Sequence, residues 1–514
     1  PGEPCYHPWA AARPDFNPSK QTIAASTELR CPNATGKYVP RSTPVAFEEF
    51  DWLSMQYFGQ HMDDARGDFV DIDVVVALAS TLKHGKVSAY PPDPTSIGSC
   101  MNSSNWQRSD QGENTWQQAI MTEIENFRRN NVYSIVKAID ARRLKAEGHN
   151  IFSTLIGFVT KRAKSSTPEK EVIDKRKCRV VFGGHRCIPG RDFNKSDAYA
   201  PVPGWGVVKL QLALAALHNL KLKAFDCTAA YLQTPIDDEV YCYPPKGLMH
   251  MLGGEEGDVW KLNKAIYGHP LSARRWYEKL FTYLKSYGFV PMGNSATLLL
   301  LDRRSAAVNP GLILLNVYSD DGLGATSGDE IWDEFIRDFK LHFELEEKDP
   351  DYFLGAGIHQ DESGAIRLDP SKYIREVVGK YDLDRAVTAP VPLPAGCRVY
   401  MPDEDEEPDA MRTQLYQQMV GSILYASLLR PDIMYHASQL SKVMSRPTAE
   451  HMAMARNVIQ YLHGTMEAMI TFRPAGADGF TENDVEFMAF SDSDWACAVD
   501  TRRSHGAYVL MLAG

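Results

Sequence analysis

Carboxylates at strand ends are the residues of this chain best placed to do chemistry. The nearly continuous apolar run Leu312–Tyr318 reads as a buried strand, and it stops at Asp320-Asp321-Gly322, a tight-turn signature. Adjacent aspartates held rigidly at the surface of a sheet suit hard divalent cations. Such ions take carboxylate oxygens while keeping positions open for phosphate and water. Two Mg²⁺ so held can activate an attacking hydroxyl and stabilise a leaving oxygen. By itself, though, a D-D-G turn is more often a solvated hairpin tip. A second acid, Asp226, follows the short apolar strand Leu222–Phe225 and is followed by small residues and then Tyr231. Alone, Asp226 could be a helix N-cap and Tyr231 an ordinary core aromatic.

Charge sharpens the reading. The net charge of −11 speaks at first against a nucleic-acid partner. It is a whole-chain average, however, and what matters is where the basic residues lie. Between Lys161 and Lys195 there are eleven Lys or Arg against four Asp or Glu, in two β-type runs (Ile156–Lys161 and Cys178–Phe182) flanking a turn. The acidic surplus sits elsewhere. Six of the seven residues Asp403–Asp409 are acidic, which reads as a solvated linker.

The elements that must position these groups alternate along the chain. Trp116, Ile120, Ile124 and Phe127 fall at helical spacing, Val207–Leu220 and Ile331–Phe343 read as helices, and Leu415–Leu429, Tyr435–Met444 and Glu450–Leu462 form a helical run. Val485–Ser491 restarts a strand. Residues 1–110, rich in Pro, Ser, Asn and Thr, read as a loosely structured leader or linker with an apolar patch at Val70–Leu82. At 514 residues the chain is too long for one core, and several domains are expected. No apolar run approaches the ~20 residues that cross a bilayer. Nine cysteines, none in a C-x-x-C pair, point to a reducing, intracellular compartment. Cys5, His7 and Cys31 match no common zinc spacing.

Taken in order, these segments resemble one family. Asp226–Leu232 resembles the first palm motif of reverse transcriptases, and Tyr318–Asp321 their Y-x-D-D box. The flanks are similar to the copia branch of LTR retrotransposons, Pseudoviridae-like. Trp116…Ala119…Glu123 resembles its W-x-x-A-x-x-x-E block, Lys177–Val181 its K-x-R-L-V strand and Tyr199–Val202 its F-A-P-V. Tyr267-Gly268…Arg274-Arg275-Trp276-Tyr277 resembles L-Y-G-L-K-Q-A-P-R-x-W-Y, and Tyr352–Gly355 resembles Y-F-L-G. Gly421-Ser422…Arg430–Ile433 and Tyr461–Thr465 resemble G-S-L…R-P-D-I and Y-L-K-G-T. The likeness runs from about residue 115 to the C-terminus.

The resemblance implies an α+β right-hand polymerase: fingers and an antiparallel palm sheet over 111–359, a helical thumb or connection over 360–475, and the start of an RNase H domain over 476–514. It implies an RNA-directed DNA polymerase that adds dNTPs to a primer 3′-hydroxyl. Asp226, Asp320 and Asp321 would hold two Mg²⁺ ions, with Mn²⁺ able to substitute. Tyr231 would exclude a ribose 2′-hydroxyl. Lys161, Arg162, Lys177 and Arg179 would meet the triphosphate, with Cys227 and Leu271 also at the nucleotide, and Leu354-Gly355 would grip the primer. The implied partners are RNA template, DNA primer and product, RNA–DNA hybrid, dNTPs and other products of an element polyprotein such as integrase. No membrane partner is implied. The implied location is cytoplasmic virus-like particles with later access to the nucleus. Two further readings stay open: an RNA-templated RNA polymerase, since S-D-D occurs in some, and a nucleic-acid-binding scaffold without catalysis.

The pattern departs in places. Pro270-Leu271-Ser272-Ala273-Arg274 stands where copia enzymes have K-Q-A-P-R, so Leu271 replaces a glutamine that packs beside the templating base pair. Gly183 replaces a lysine. At the C-terminus Phe490–Ala496 and Arg502–Tyr508 resemble the opening of RNase H, with Asp492 as its first metal ligand. The further ligands would lie beyond Gly514, so RNase H activity is not expected of this chain.

Overall fold

The computed structural model describes residues 93–109, 112–162, 172–402, 409–474, 487–496, 500 and 502–512. Most of the expected leader, with the Val70–Leu82 patch and the Cys5, His7, Cys31 group, lies outside the described residues, as does most of the acidic linker. The first described helix, α1 (Ile97–Met101), precedes the one that the periodicity suggests. Helix α2 (Trp116–Arg129) then starts at a capping box between Thr115 and Gln118 and buries Trp116, Ile120, Ile124 and Phe127 on one face. Strand β1 (Tyr133–Val136), helix α3 (Ala138–Ala146) and strand β2 (Ile151–Phe152) follow.

Strands β3 (Thr154–Arg162) and β4 (Ile173–Phe182) form an antiparallel hairpin. Its two faces divide by the alternation of a pleated strand. Phe158, Arg176, Cys178, Val180 and Phe182 turn inward, with the Phe158 ring edge-on to Trp116 at 5.5 Å. Arg176 is buried there in an ion pair with Glu113 at 2.6 Å. Glu123 of α2 is buried beneath the same strand and accepts the Val180 amide at 2.9 Å. Burial pushes its carboxyl up to about 7. Lys161, Lys175, Lys177 and Arg179 alternate with these positions and share the opposite face.

Helix α4 (Trp205–Leu217) leads to strand β5 (Lys221–Cys227), followed by β6 (Tyr241–Cys242) and β7 (Val259–Leu262). A small sheet, ordered β1-β7-β6-β2, carries this side of the molecule. Then come helix α5 (Ser272–Tyr287), strands β8 (Val290–Pro291), β9 (Leu298–Asp302), β10 (Leu312–Tyr318) and β11 (Asp321–Thr326), helix α6 (Asp329–His342) and strand β12 (Leu345–Lys348). These strands and β5 make the central sheet, β12-β5-β11-β10-β9-β8, antiparallel throughout.

Both faces of this sheet are covered. Ile313, Leu315 and Val317 pack with Trp276 and Leu280 of α5 and Phe335 and Phe339 of α6. Leu314, Leu323 and Ala325 pack under α4. The Gln211 side chain of α4 donates to the Leu314 and Leu323 carbonyls (3.1 and 2.8 Å) and accepts from Asn316 Nδ2 (3.1 Å), so both ends of the buried Gln211 amide are paired across the layers.

Beyond the central sheet come strands β13 (Tyr352–Phe353), β14 (Ala356–Gln360) and β15 (Ile366–Asp369), and helices α7 (Ser371–Lys380), α8 (Ala410–Leu429), α9 (Met434–Ser441) and α10 (Ala449–Gly464). Strand β16 (Ile470–Phe472) then returns to pair with β15. The span expected to form a helical thumb or connection also supplies strands β15 and β16, because Ile366 and Leu368 alternate inward within a strand of only four residues, too short a pattern to read from sequence. Strand β14 runs through the expected division at 359/360. The core under α4 continues without a break through Ile358, Leu368, Tyr373, Tyr416 and Ile459. Strands β17 (Phe487–Ser493) and β18 (Gly506–Leu512) form a two-stranded ribbon. Among the described residues no helix is long and apolar enough to cross a membrane.

Candidate active site

Strand register brings the carboxylates together. Asp226 on β5 faces Asp321 on β11 as a direct cross-strand partner, and Tyr318 faces Asp321 across the β10–β11 hairpin. Only Ser319 and Asp320 lie between the two strands, and Ser319 takes a left-handed backbone (φ 51°). The turn therefore sits one residue earlier than the Asp320-Asp321-Gly322 signature suggested, and Asp321 begins the return strand. Gly322 serves packing instead: a Cβ there would stand 2.2 Å from the Phe225 ring. Two bonds fix the turn from below. The Trp276 indole donates to the Ser319 carbonyl at 2.7 Å, and the Cys227 amide donates to the Asp320 carbonyl at 2.7 Å.

Burial and mutual repulsion govern the charge here. Desolvation, then the neighbouring Asp226, raises the Asp320 carboxyl above its usual range. Asp321 is pushed up to about 6 by burial, against the attraction of Lys348 and with the help of Asp320. Lys348, at the end of β12 beside β5, forms an ion pair with Asp321 and stands 3.7 Å from Asp226. Burial opposes its charge, but Asp321, Asp226 and Asp320 outweigh it and raise its pKa. Among the described residues no set of three or more His, Cys, Asp or Glu side chains closes on a single centre. The donor set still suits hard dications in its chemistry. It offers oxygen ligands alone, brought together at one sheet end with their negative charge under strain.

A wall stands beside the acids. Tyr231 sits on the single helical turn Ala230–Gln233 that follows β5. Its hydroxyl shares a hydrogen bond with the Ser319 hydroxyl at 3.2 Å, and its ring meets Tyr267 edge-on at 5.1 Å. The Arg179 guanidinium lies 4.7 Å from the Tyr267 ring centre. The basic face of the β3–β4 hairpin is thus joined to the acidic turn through two aromatic rings. A cleft of about 30 Å³ lies under the turn, lined by Pro201, Tyr231, Trp276, Tyr318 and Ser319.

The other expected residues fall in four groups. Lys161, Lys177 and Arg179 share the outer face of the hairpin, where the β3–β4 register also aligns Arg162 with Ile173. Cys227 and Leu271 have buried side chains (1% and 4% exposed), the first packed between the central sheet and α5. Leu354 (φ 46°) and Gly355 (φ 79°) form the two-residue turn between β13 and β14, and the Tyr425 hydroxyl of α8 donates to the Leu354 carbonyl. Asp492 lies on the C-terminal ribbon opposite Ala507. Gly183, where the family has lysine, leaves 2.8 Å between an added Cβ and the Ser153 carbonyl. Sequence reasoning missed Lys348, Ser319, Tyr267 and Trp276 as parts of the site. Trp276 and Tyr267 lay in a motif already noticed, whereas Lys348 carries no local signal.

Residues 156–395 match the family described as reverse transcriptase (RNA-dependent DNA polymerase). The chain carries a reverse transcriptase domain. Its relatives are copia-type Pol polyproteins of plant and yeast transposons. It is 27% identical to the retrovirus-related Pol polyprotein from transposon RE2 of Arabidopsis thaliana, over 66% of this chain and 22% of that protein. It is 25% identical to that of transposon TNT 1-94 of Nicotiana tabacum, over 78% of this chain and 29% of that protein. The putative transposon Ty5-1 protein of Saccharomyces cerevisiae is 29% identical over 56% of this chain and 89% of its own length. The chain thus spans less than a third of the plant polyproteins it matches.

Proposed function

We propose that this reverse transcriptase domain is an active RNA-directed DNA polymerase that joins dNTPs to a primer 3′-hydroxyl in the presence of two divalent cations. The observation that carries this reading is the register that sets Asp226 against Asp321, with Asp320 in the adjoining turn. Asp226, Asp320 and Asp321 hold the ions, Mg²⁺ or Mn²⁺, which supply charge neutralisation and activation of the attacking hydroxyl. The residues of the chain do the rest. Arg179, Lys177 and Lys161, with Arg162 beside them, present positive charge to the triphosphate, where catalysis is mainly positioning and electrostatics. Tyr231 occupies the space of a ribose 2′-hydroxyl. The Leu354-Gly355 turn steadies the primer strand.

On this reading the β3–β4 hairpin is the fingers and the central sheet the palm, within 111–359. Helices α7 to α10 belong to the thumb or connection, within 360–475. The ribbon bearing Asp492 begins an RNase H domain within 476–514. The working partners are RNA template, DNA primer, RNA–DNA hybrid and other polyprotein products, inside virus-like particles.

The test is extension of a DNA primer on an RNA template with Mg²⁺ and either dNTPs or rNTPs, alongside Asp320→Asn/Asp321→Asn. Extension with dNTPs that falls at least a thousandfold in the double variant is expected. Extension with rNTPs alone would favour an RNA polymerase. Template binding without extension by either would leave a scaffold.

A further inference from the structure

We infer that Ser319, the second residue of the Y-S-D-D turn, is a specificity-determining residue that holds Tyr231 in place and so sets the discrimination between deoxyribose and ribose. The inference rests on the reading of Tyr231 as the wall against a 2′-hydroxyl. A wall of that kind works only if it is stiff. An oxygen atom needs little room, and an aromatic ring that swings about its side-chain torsions by an ångström or so admits it. The geometry supplies the stiffness at both ends of the ring. The ring meets Tyr267 edge-on at 5.1 Å, while the hydroxyl reaches Ser319 Oγ at 3.2 Å.

The anchor is itself immobilised. Ser319 has a left-handed backbone in a two-residue turn, and its carbonyl accepts the buried Trp276 indole at 2.7 Å. The turn carrying Tyr231 is braced from α5, where Lys279 Nζ donates to the Gln233 carbonyl at 2.7 Å. With both backbones held, the freedom left to the ring is torsional, and the hydroxyl pair removes it. A phenylalanine would exclude a 2′-hydroxyl by bulk as well as a tyrosine does. The tyrosine hydroxyl gains a purpose here from the serine opposite it. The Ser319 side chain also lies on the same turn as Asp320, so the wall and the acids keep one spacing.

The experiment measures kcat/KM for a dNTP and the matching rNTP on one primed template, for wild type, Ser319→Ala, Tyr231→Phe, the double variant and Tyr231→Val. Removing either hydroxyl is expected to lower the dNTP/rNTP ratio roughly two- to tenfold, the factor one neutral hydrogen bond is worth. The double variant should match the singles, because both delete one bond. The ratio does not depend on how much enzyme is folded, so a merely structural role for Ser319 leaves it unmoved. An unchanged ratio in Ser319→Ala and Tyr231→Phe, beside a collapsed ratio in Tyr231→Val, would overturn the role of Ser319 and keep Tyr231 as the wall. An unchanged ratio in Tyr231→Val as well would overturn the wall and the inference together. Lack of dNTP extension by wild type would remove the polymerase reading beneath both.

Discussion

At Asp321 two influences oppose each other: burial raises its carboxyl to about 6, and the attraction of Lys348 keeps it from rising further. A carboxylate must be ionised to hold a dication, so in the metal-binding role proposed for Asp321 protons and metal compete for it. The half-saturating Mg²⁺ for primer extension should therefore climb as pH falls below about 6, by up to roughly tenfold per unit for one displaced proton. In Lys348→Met the climb should begin at higher pH, since the attraction that lowers the pKa is gone. The sign for stability is the reverse of a usual salt-bridged aspartate. A folded-state pKa above the ordinary 3.8 means that metal-free protein gains stability from this group as pH falls from about 6 towards 4 and loses it on the way back up. Titrating extension rate against Mg²⁺ at pH 5.5, 6.5 and 7.5 checks the prediction. A Lys348→Met profile that begins to climb at the same pH as wild type would show that Lys348 does not govern Asp321.

The elements around the acids owe their spacing to two glycines of β11. Gly322 and Gly324 face the α6 side of the sheet, where added Cβ atoms would stand 2.2 Å from the Phe225 ring and 2.3 Å from that of Trp332. Both rings are fully buried, so neither can step aside cheaply. Gly324→Ala should cost about 1–3 kcal/mol of stability by overpacking. Pairing it with Trp332→Leu, which opens the same space, should recover part of that loss in thermal melts. Independent, additive losses in the pair would refute the contact. The same glycines explain which parts of the site were legible in sequence. The strand Leu312–Tyr318 and the helices around it follow from apolar periodicity, which is a local property. The turn was displaced by one residue because Asp-Gly is a strong local hairpin signal, whereas the glycine at 322 answers to Phe225, nearly a hundred positions away. Lys348 was invisible for the same reason. It reaches Asp321 through the pairing of β12 with β5, and no spacing along the chain records a contact made between strands.

Across the whole molecule, the helical layer is built into the central sheet. One apolar core joins α4 and the inner face of β10 and β11 to β14, β15, α7, α8 and α10. Polar links follow the same path: the Tyr373 hydroxyl donates to the Ser422 carbonyl at 2.9 Å, the Tyr416 hydroxyl to the Leu440 carbonyl at 2.9 Å, and the Tyr425 hydroxyl to Leu354. A division of the chain after residue 360, close to the one natural from the run of motifs, would part β14 from β15 and strip the cover from Leu212, Leu314 and Leu323. Exposed apolar area costs about 25 cal/mol per Å², and several large side chains lose their cover together, so the loss is comparable with the 5–15 kcal/mol that holds a domain folded. A chain ending after Gln360 should therefore aggregate or lack the sharp near-ultraviolet circular dichroism of packed aromatics, and co-expressing residues 361–514 as a second chain should restore both. A soluble, cooperatively melting fragment ending at 360 would show that the two layers fold apart. In that case the helical layer would be free to move against the central sheet, whereas a continuous core ties the Leu354-Gly355 turn to helix α8 through Tyr425 and moves the two as one piece.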